Sequence, residues 1–545
     1  MSVATSLITQ LFKGIQLWHL LTAIAAYAVW KFVYRVYLWP RYFSPLRHLP
    51  GPPMGNPIFG QVVTLIKGEV GVAQREWVKQ YGPIIRVMGP LGNEQVCFSS
   101  PEALQQIFVS DWLDFPRPSY LRKILGLVTG NGLLTVTGNQ HKQMRKAMNP
   151  AFSIPNLMSQ TDMFYDPIEG LVDIFSAQIQ AQSNPAEGKE IHVYDWMGKV
   201  TLDIICDTAF GYHTDSLHNP HDELAQAYEH LLSLQSGANL AGLIALAAIP
   251  GVYKLLNTNW AHNYRSWLDR TPFLAPASTL VHSMHTIKTI SAQMLAEKMA
   301  DSAVTMDDTL AKRDIMSLLV RARKTDKDDG YQMTDQDMMD QVLTFLGAGH
   351  ETTASGLAWT LWLLANDKDS QDRLREEVTP YLADNPRPSY RTLKEMQWLD
   401  CVIMESLRCL PPVPGTPRVA AKDMRIGDVF IPKGTLLPIH IRMINTLPEV
   451  WGDDAEEFHP ARWLDLPKTY NPTFSMLSFI AGPHGCIGRT MAMIEMKAVL
   501  ACLISQFEFQ PAYAGQVAKP TTAITMKPAD GMPLRVKAVP KKQTV

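Results

Sequence analysis

Residues 479–489 read Phe-Ile-Ala-Gly-Pro-His-Gly-Cys-Ile-Gly-Arg, a glycine-rich turn with one cysteine directly ahead of an apolar run typical of a helix. Glycine permits unusual backbone dihedral angles and lets the chain lie close against a flat ligand. The first turn of the following helix points N–H groups and a partial positive charge toward the Cys486 sulfur. These features favour the thiolate, the form of cysteine that binds metal. The segment therefore predicts one axial thiolate ligand on a haem iron.

As a motif, Phe-x-x-Gly-x-(Arg/His)-x-Cys-x-Gly resembles the haem-binding loop of the cytochrome P450 monooxygenases. The resemblance makes Cys486 the ligand of the haem iron, with Phe479, Gly482 and Gly488 shaping the loop around the cofactor. His484 stands where most members carry an arginine that faces a haem propionate, so we expect a hydrogen bond from histidine there. A lone cysteine is more often a small buried hydrophobe, but the glycines and the helix start favour the ligand.

The second motif is Ala-Gly-His-Glu-Thr-Thr at residues 348–353, inside a helix predicted from about Thr334 to about Ala365. Thr334 and the acids that follow it are typical of an N-cap and a first turn. Glycine within a helix costs about 1 kcal/mol relative to alanine, which indicates a face that leaves space for another group. The competing interpretation is a kinked helix whose threonine bonds to its own carbonyl groups.

In the family, this second motif forms the groove that binds dioxygen beside the haem. The resemblance places Ala348 and Gly349 against the cofactor. It also gives Thr352 the hydroxyl role and Glu351 the acid role in proton delivery.

The third motif is Glu405-Ser-Leu-Arg408, where acid and base lie three residues apart on one helical face and can pair. Most such pairs are exposed and contribute little, but apolar flanking residues here predict a buried helix. A buried pair needs further partners. The family supplies one in a downstream Phe-x-Pro-x-Arg segment, which corresponds to residues 458–462 and ends at Arg462. The resemblance thus implies a structural triad of Glu405, Arg408 and Arg462 that supports the fold and haem retention.

The fourth motif is a basic segment at residues 138–146, where His141 and Arg145 lie four apart and share a helical face. Many family members carry tryptophan at the position of His141 and arginine at the position of Arg145, and both side chains reach a haem propionate. In this chain histidine replaces the tryptophan, and the arginine is kept. Arg418, after the third motif, resembles a further propionate arginine. The alternative for each is a solvated surface residue.

Composition agrees with one large domain. The chain has 545 residues, 46% of them hydrophobic, and a formal net charge of -2, which predicts no nucleic-acid partner. Its six cysteines form no C-x-x-C pair, which argues against a disulfide scaffold and a clustered zinc site. We interpret the five cysteines other than Cys486 as core residues or inert thiols. The fold class predicted is mainly α with a small β-rich portion, as in the cytochrome P450 fold.

The N-terminal segment predicts a membrane anchor. Residues 14–30 contain no Asp, Glu, Lys or Arg, and apolar residues continue to 38, so a transmembrane helix is expected at 14–38. Basic residues follow it, which places residues 1–13 in the lumen and the bulk of the chain in the cytosol, at the endoplasmic reticulum membrane. The alternative is a cleaved signal peptide, since residues 26–28 (Ala-Tyr-Ala) resemble a cleavage site.

Beyond the anchor, residues 39–60 predict a proline-rich hinge and residues 61–545 the haem-thiolate catalytic domain. The apolar residues 240–249 predict a core helix or a surface that dips into the membrane. Further predicted elements comprise a helix at 71–81, strands at 84–88 and 95–98, short strands around 426, 429–431 and 436–437, and a C-terminal hairpin over 524–539 that turns at 529–531.

The resemblance implies haem b and the insertion of one oxygen atom of dioxygen into a hydrophobic small molecule. The motifs look similar to fungal members that act on terpenoids, polyketides or other secondary metabolites. The alternatives are a fatty-acid or lipid hydroxylase, a haem-thiolate enzyme catalysing coupling or isomerisation without oxygen insertion, and a haem sensor or carrier.

No Gly-rich dinucleotide fingerprint follows a predicted strand. Electrons are therefore expected from NADPH only indirectly, through a separate NADPH–cytochrome P450 reductase, with cytochrome b5 as a second candidate donor. Lys142, Lys146 and Arg489 are expected near the thiolate side, where they could meet an acidic partner.

Overall fold

The computed structural model describes residues 2–234, 239, 242–243, 246, 249, 251–271, 274–304, 314–325, 331, 333–521 and 524–540. Six of the ten residues of the segment predicted at 240–249 lie outside these residues, namely 240–241, 244–245 and 247–248. The described residues are mostly helical and carry three small sheets, which confirms the mainly α class with a small β portion. They form two units: Met1–Leu104 with Pro417–Ile439, and Gln105–Thr416 with His440–Val545.

The α-helices of the described residues range from single turns to two helices of 32 residues. They are Ser2–Val33, Val62–Lys67, Val72–Tyr81, Pro101–Gln105, Ser119–Thr129, Gly138–Met148, Ile154–Gln160, Tyr165–Gln180, Val193–Ile205, Glu223–Ser233, Val252–Leu256, Asn259–Asn263, Ser266–Asp269, Ala275–Val304, Ile315–Thr325, Asp335–Asn366, Lys368–Asp384, Tyr390–Glu395, Gln397–Cys409, Ile441–Asn445, Pro448–Trp451 and Arg489–Gln506. We call Gly138–Met148 the basic helix, Asp335–Asn366 the central helix and Arg489–Gln506 the final helix.

The strands of the described residues are short. They are β1 Ile84–Met88, β2 Glu94–Phe98, β3 Lys189–His192, β4 Thr416–Val419, β5 Met424–Ile426, β6 Val429–Ile431, β7 Leu436–Ile439, β8 Phe507–Pro511 and β9 Pro533–Ala538. The predicted helix at 71–81 and the strands predicted from 84 to 98 and from 426 to 437 are confirmed, with boundaries shifted by at most two residues.

The first unit holds a four-stranded sheet in the order β1-β2-β7-β4 and the two-stranded pair β5-β6. β1 runs antiparallel to β2, with Ile85 opposite Cys97, and β2 runs parallel to β7. The pairing buries Ile85, Val96 and Phe98, whose exposed fractions are at most 1%. Alternation along β1 is typical of a strand with one face in a core.

The N-terminal helix Ser2–Val33 continues as π-helical turns over Tyr34–Phe43, which contain Pro40. Within the described residues, no helix combines the length and the apolarity needed to cross a membrane. The anchor at 14–38 therefore stays a prediction.

The central helix dominates the second unit. It begins with a capping box, in which Thr334 Oγ1 accepts from the Asp337 N–H at 3.1 Å and Asp337 Oδ2 accepts from the Thr334 N–H at 2.9 Å. Buried residues cover most of its circumference, as expected for a helix inside a large core. The helix predicted from Thr334 to Ala365 is confirmed. The core that surrounds it fixes the position of the motif at residues 348–353 in its middle turns.

The second sheet of the chain, in the order β3-β9-β8, corrects one prediction. The hairpin predicted over 524–539 is wrong, because no strand forms in 524–532 and β9 pairs with β3 and β8. Leu534 and Val536 lie on one face of β9 and are fully buried. Pairing with β3 and β8 places this apolar face against the core. β8 lies outside the predicted segment and β3 lies more than 300 residues before β9, so local patterning does not reveal this pairing.

Candidate active site

A cavity in the second unit lies between the central helix, the basic helix, the cysteine loop 479–488 and the start of the final helix. It encloses about 900 Å³ of space, part of it open to solvent. Most of its wall is apolar, and it is formed by Leu133, Leu134, Phe152, Ile205, Phe345, Ala348, Ile487, Met491 and Ala492. Such a pocket suits a hydrophobic ligand held by a few polar groups.

The cysteine loop presents the Cys486 side chain to this cavity. The Cys486 N–H donates to the Phe479 carbonyl at 2.8 Å, and the Gly485 N–H donates to the Gly482 carbonyl at 2.9 Å, so the loop closes on itself. Cys486 is the exposed member of the six cysteines, and the other five are buried. Its exposure is to the cavity that it lines. The prediction that the other five are core residues is confirmed.

Opposing influences act on the Cys486 thiol. Burial raises its pKa above the usual value, and the Gly488 N–H, which bonds to the sulfur, and the guanidinium groups of Arg145 and Arg489 offset part of this rise. The backbone donor and the two cations stabilise the thiolate, and a metal ion at the sulfur would add a larger stabilisation. The loop is therefore arranged for metal ligation.

Two arginines and a ring cluster form the polar edge of the cavity. Arg145 Nη1 donates to the Gly485 carbonyl at 2.5 Å, which ties the basic helix to the cysteine loop. The rings of His141 and His484 are 4.1 Å apart, and Trp112 lies 5.7 and 5.2 Å from them. His141 and His484 are both buried and line the cavity.

Arg117 is a cavity residue that the sequence did not predict. It lines the cavity and donates to the Leu134 carbonyl at 3.0 Å, and burial lowers its pKa to about 10. Trp112 was likewise missed. Trp112 begins the short 3-10 helix Trp112–Asp114, and Arg117 lies in the irregular stretch that follows it. Neither residue belongs to a repeating pattern, so no spacing signal marks it.

The central helix presents small residues and threonines to the cavity, while its acid points elsewhere. Ala348, Gly349, Thr352 and Thr353 line the cavity. The Thr352 hydroxyl donates to the Ala348 carbonyl at 2.8 Å, the back-bonding that the alternative interpretation expected. Glu351 is not part of the cavity wall; it is 7% exposed and accepts a hydrogen bond from Thr525 Oγ1. The motif thus divides between two faces of one helix.

A sequence model of the cytochrome P450 family matches residues 50–534. The chain belongs to the cytochrome P450 family. Cytochrome P450 monooxygenase sphH of Aspergillus fumigatus is 31% identical over 94% of this chain and 91% of its own length. Cytochrome P450 monooxygenase 205 of Postia placenta is 32% identical over 92% of this chain and 93% of its own length. Cytochrome P450 monooxygenase FUM15 of Gibberella moniliformis is 28% identical over 88% of this chain and 85% of its own length. This P450 is accordingly a monooxygenase.

The residues of the P450 cavity fit a haem. A single cysteine sulfur faces the space, glycines flank it, and the rest of the wall is apolar except at one edge. At that edge Arg117, Arg145, His141 and His484 provide cations and hydrogen-bond donors suited to two carboxylates. A thiolate, an apolar slot and a cationic edge match the iron, the macrocycle and the propionates respectively.

The triad predicted from the third motif and the segment 458–462 comes together in the P450 core. Arg408 Nε and Nη2 donate to Glu405 at 2.7 and 2.8 Å, and both side chains are fully buried. Arg462 Nε donates to Glu405 Oε1 at 3.2 Å. Trp463 Nε1, at 2.9 Å, and the His459 N–H, at 3.0 Å, also donate to this carboxylate. The geometry supports the structural role that the resemblance implied.

Arg418 and Phe479 are not among the residues that form the wall of the cavity. Arg418 belongs to the first unit, is 1% exposed, and donates to the Pro417 carbonyl at 2.9 Å. Its assignment as a propionate partner stays a prediction. Phe479 is half-buried and lies under the Arg489 guanidinium, 5.5 Å from the ring centre.

Gly482→Ala is expected to destabilise the cysteine loop strongly. Gly482 has φ +69°, and a Cβ at this position would lie 2.1 Å from the Phe108 carbonyl oxygen. The positive φ alone costs about 1–2 kcal/mol for alanine, and the clash adds backbone movement. We expect a lower melting temperature and less bound haem per protein. Gly515→Ala is the matched control, because Gly515 has φ +74° and open space around the added atom. If both variants lost the same melting temperature and the same amount of haem, the contact between residue 482 and the Phe108 carbonyl could not be the cause.

Proposed function

We propose that this P450 inserts one atom of dioxygen into a hydrophobic small molecule, namely a terpenoid, a polyketide or another secondary metabolite. The observation that carries the proposal is the cavity, where an apolar wall meets a cysteine sulfur and a threonine hydroxyl. A substrate without charge leaves no buried ion unpaired against Leu133, Phe152 and Phe345. The cationic edge of the cavity would bind the propionate carboxylates of the haem and not the substrate.

In this mechanism Cys486 holds the haem iron, and Arg117, Arg145, His141 and His484 hold the propionates. Bound haem supplies the activation of dioxygen, which protein side chains cannot perform. Thr352 holds a hydroxyl at the cavity wall, where it can pass a proton toward the reacting oxygen. Ala348 and Gly349 leave the adjacent space free of side-chain bulk. Glu351 keeps a carboxyl within the core, next in sequence to this hydroxyl.

The electrons are proposed to come from a separate NADPH-dependent reductase or from cytochrome b5. Lys142, Lys146 and Arg489 are exposed beside the elements that carry Arg145 and Cys486, so they offer positive charge to an acidic partner. Anchoring at the endoplasmic reticulum membrane through residues 14–38 is part of the same proposal. It is supported by the exposure of apolar side chains on the N-terminal helix, among them Trp18, Leu21, Ile24 and Trp30.

The test is turnover under ¹⁸O₂ with a reductase and NADPH. The probes are a panel of sesquiterpenes, aromatic polyketides and lauric acid, each incubated with the purified full-length protein. We expect at least one terpenoid or polyketide to gain a single ¹⁸O atom per product molecule, with one NADPH oxidised. A product that forms without ¹⁸O would overturn oxygen insertion and indicate coupling or isomerisation. Labelling of lauric acid alone would replace the substrate class by fatty acids.

A further inference from the structure

Three histidine rings stack where the short helix Asn259–Asn263 packs on the long helix Ala275–Val304. The ring centres of His262 and His285 are 3.7 Å apart, and those of His262 and His282 are 5.8 Å apart. In both pairs the ring planes lie within 13° of parallel. His262 and His285 are half-buried, and His282 is exposed. The two helices are therefore joined through the faces of imidazole rings.

A hydrogen bond holds the His262 ring in its neutral form. Arg265 Nη1 lies 3.2 Å from His262 Nε2. A guanidinium group can only donate, so Nε2 accepts this bond and carries no proton. Protonation of Nε2 would break the bond and would place a positive charge beside the guanidinium group. The observed contact therefore requires a neutral His262.

The charges that act on the stack are mostly basic. Partial burial lowers the pKa of His262 and of His282, and the neighbouring imidazoles and Arg265 lower both further. The Asn263 side chain raises the pKa of His262, and Asp269 raises that of His282. The elements packed around the stack carry these titratable or charged groups: His230 on the helix Glu223–Ser233, Lys254 on the helix Val252–Leu256, Arg265 and Asp269 in the segment that follows His262, and His282, His285 and Lys288 on the helix Ala275–Val304.

The stack is not arranged as a metal site. The lone pair of an imidazole nitrogen lies in the plane of its ring, so stacked rings do not direct their lone pairs at one point. Among the residues that the structure describes, no group of three or more His, Cys, Asp or Glu side chains could hold a metal ion. The property that sets these side chains apart from other rings is their change of charge between about pH 5 and 8.

We propose that His262, His282 and His285 form a pH-sensitive latch, which holds the segment 259–269 on the helix Ala275–Val304 at neutral pH and releases it on acidification. Neutral rings stack, whereas two imidazolium rings at the observed 3.7 Å would repel each other and the adjacent guanidinium group. The latch is complete above the ordinary histidine pKa of about 6.5. It weakens as the pH falls below that value, because the released segment takes up protons more readily than the stacked one.

Little other packing holds this segment. Among residues 259–269 only Ala261 is buried, whereas Trp260, Tyr264 and Trp267 are more than half exposed. Helices of four or five residues have no stability of their own. A repulsion of modest size at the stack is therefore enough to loosen the segment from the long helix.

Amide hydrogen exchange of the full-length, haem-bound protein measures this release and needs no turnover. Exchange rates in the segment 259–269 are compared at about pH 7.5 and about pH 5.5, each divided by the intrinsic rate at that pH. The helix Lys368–Asp384 serves as the internal reference. We expect the protection of the segment to fall about threefold or more at the lower pH, with the reference unchanged. High salt should reduce the change, because it screens charges that are partly exposed.

Three variants assign the response to the stack. His262→Phe/His285→Phe keeps two rings and removes their titration, so its protection should be equal at the two pH values. Arg265→Gln keeps a donor for His262 and removes the adjacent charge, so its response should be smaller than that of the wild type. It decides the question if the double variant does not fold. His218→Phe is the matched control, because His218 is exposed and pairs with Asp215 at 2.6 Å.

Equal protection of the wild-type segment at both pH values would overturn the latch. So would a wild-type response in the double variant, or in Arg265→Gln, or a loss of the response in His218→Phe. None of these results would touch the proposed oxygen insertion, because the latch is measured without substrate, reductase or dioxygen consumption.

Discussion

Glu405→Ala is expected to lower the free energy of unfolding by about 3–5 kcal/mol, because it leaves buried positive charge without its partner. Arg408 is fully buried against Glu405 and also donates to the carbonyls of Asn445 and Glu457. Arg462 and Trp463 share the same carboxylate. Removing one side chain therefore breaks several hydrogen bonds that join the helix Gln397–Cys409 to the segment before the cysteine loop. Haem retention should fall with stability.

Urea unfolding of the purified proteins measures this loss. Lys368→Ala is the control, because the Lys368–Asp372 pair is exposed and such pairs contribute about 0.5 kcal/mol or less. A Glu405 variant no less stable than the control variant would contradict the structural role of the triad. Arg408→Met should be milder than Glu405→Ala, because Arg462 still balances the charge of the Glu405 carboxylate and Trp463 still donates a hydrogen bond to it.

Cys486→Ala is expected to abolish NADPH-driven dioxygen consumption, since the iron loses its sulfur ligand and with it the electron donation that favours O–O cleavage. Cys502→Ala is the matched control. Cys502 is buried on the final helix, and burial raises the pKa of its thiol to about 12, so it holds no thiolate at neutral pH. The measurement is oxygen uptake with a reductase, and the control should keep the wild-type rate. Uptake by Cys486→Ala at the control rate would show that another group binds the iron.

Short motifs with fixed spacing were predictable from the sequence because their geometry is local. The capping box at Thr334, the acid–base pair three residues apart at Glu405, and the glycine-flanked cysteine each need only one turn of backbone to define them. The same reasoning placed His141 and Arg145 on one face, and both line the cavity.

Long-range packing explains what the sequence did not reveal. Arg117 lines the cavity and Trp112 packs against the rings of His141 and His484, and neither residue has a periodic signal in the sequence. Strand-forming residues on both sides of a turn predict a hairpin in the tail, but β9 pairs with β8 and β3 instead. The direction of Glu351 depends on Thr525, 174 residues away, which no local pattern encodes.

The two faces of the central helix show why resemblance and geometry are both needed. The motif at 348–353 implied one proton-delivering unit, and the structure separates its hydroxyl from its acid. Thr352 faces the cavity, whereas Glu351 is buried and accepts a hydrogen bond from Thr525.

The most direct test of the central claim, that Cys486 binds haem iron through its sulfur, is the absorption spectrum of the reduced protein under carbon monoxide. The account predicts the strongly red-shifted band of a thiolate-bound haem in the wild-type protein, absent from Cys486→Ala and retained in Cys502→Ala. A band typical of a nitrogen-ligated haem in freshly purified wild-type protein, or no haem bound after supply of hemin, would contradict it.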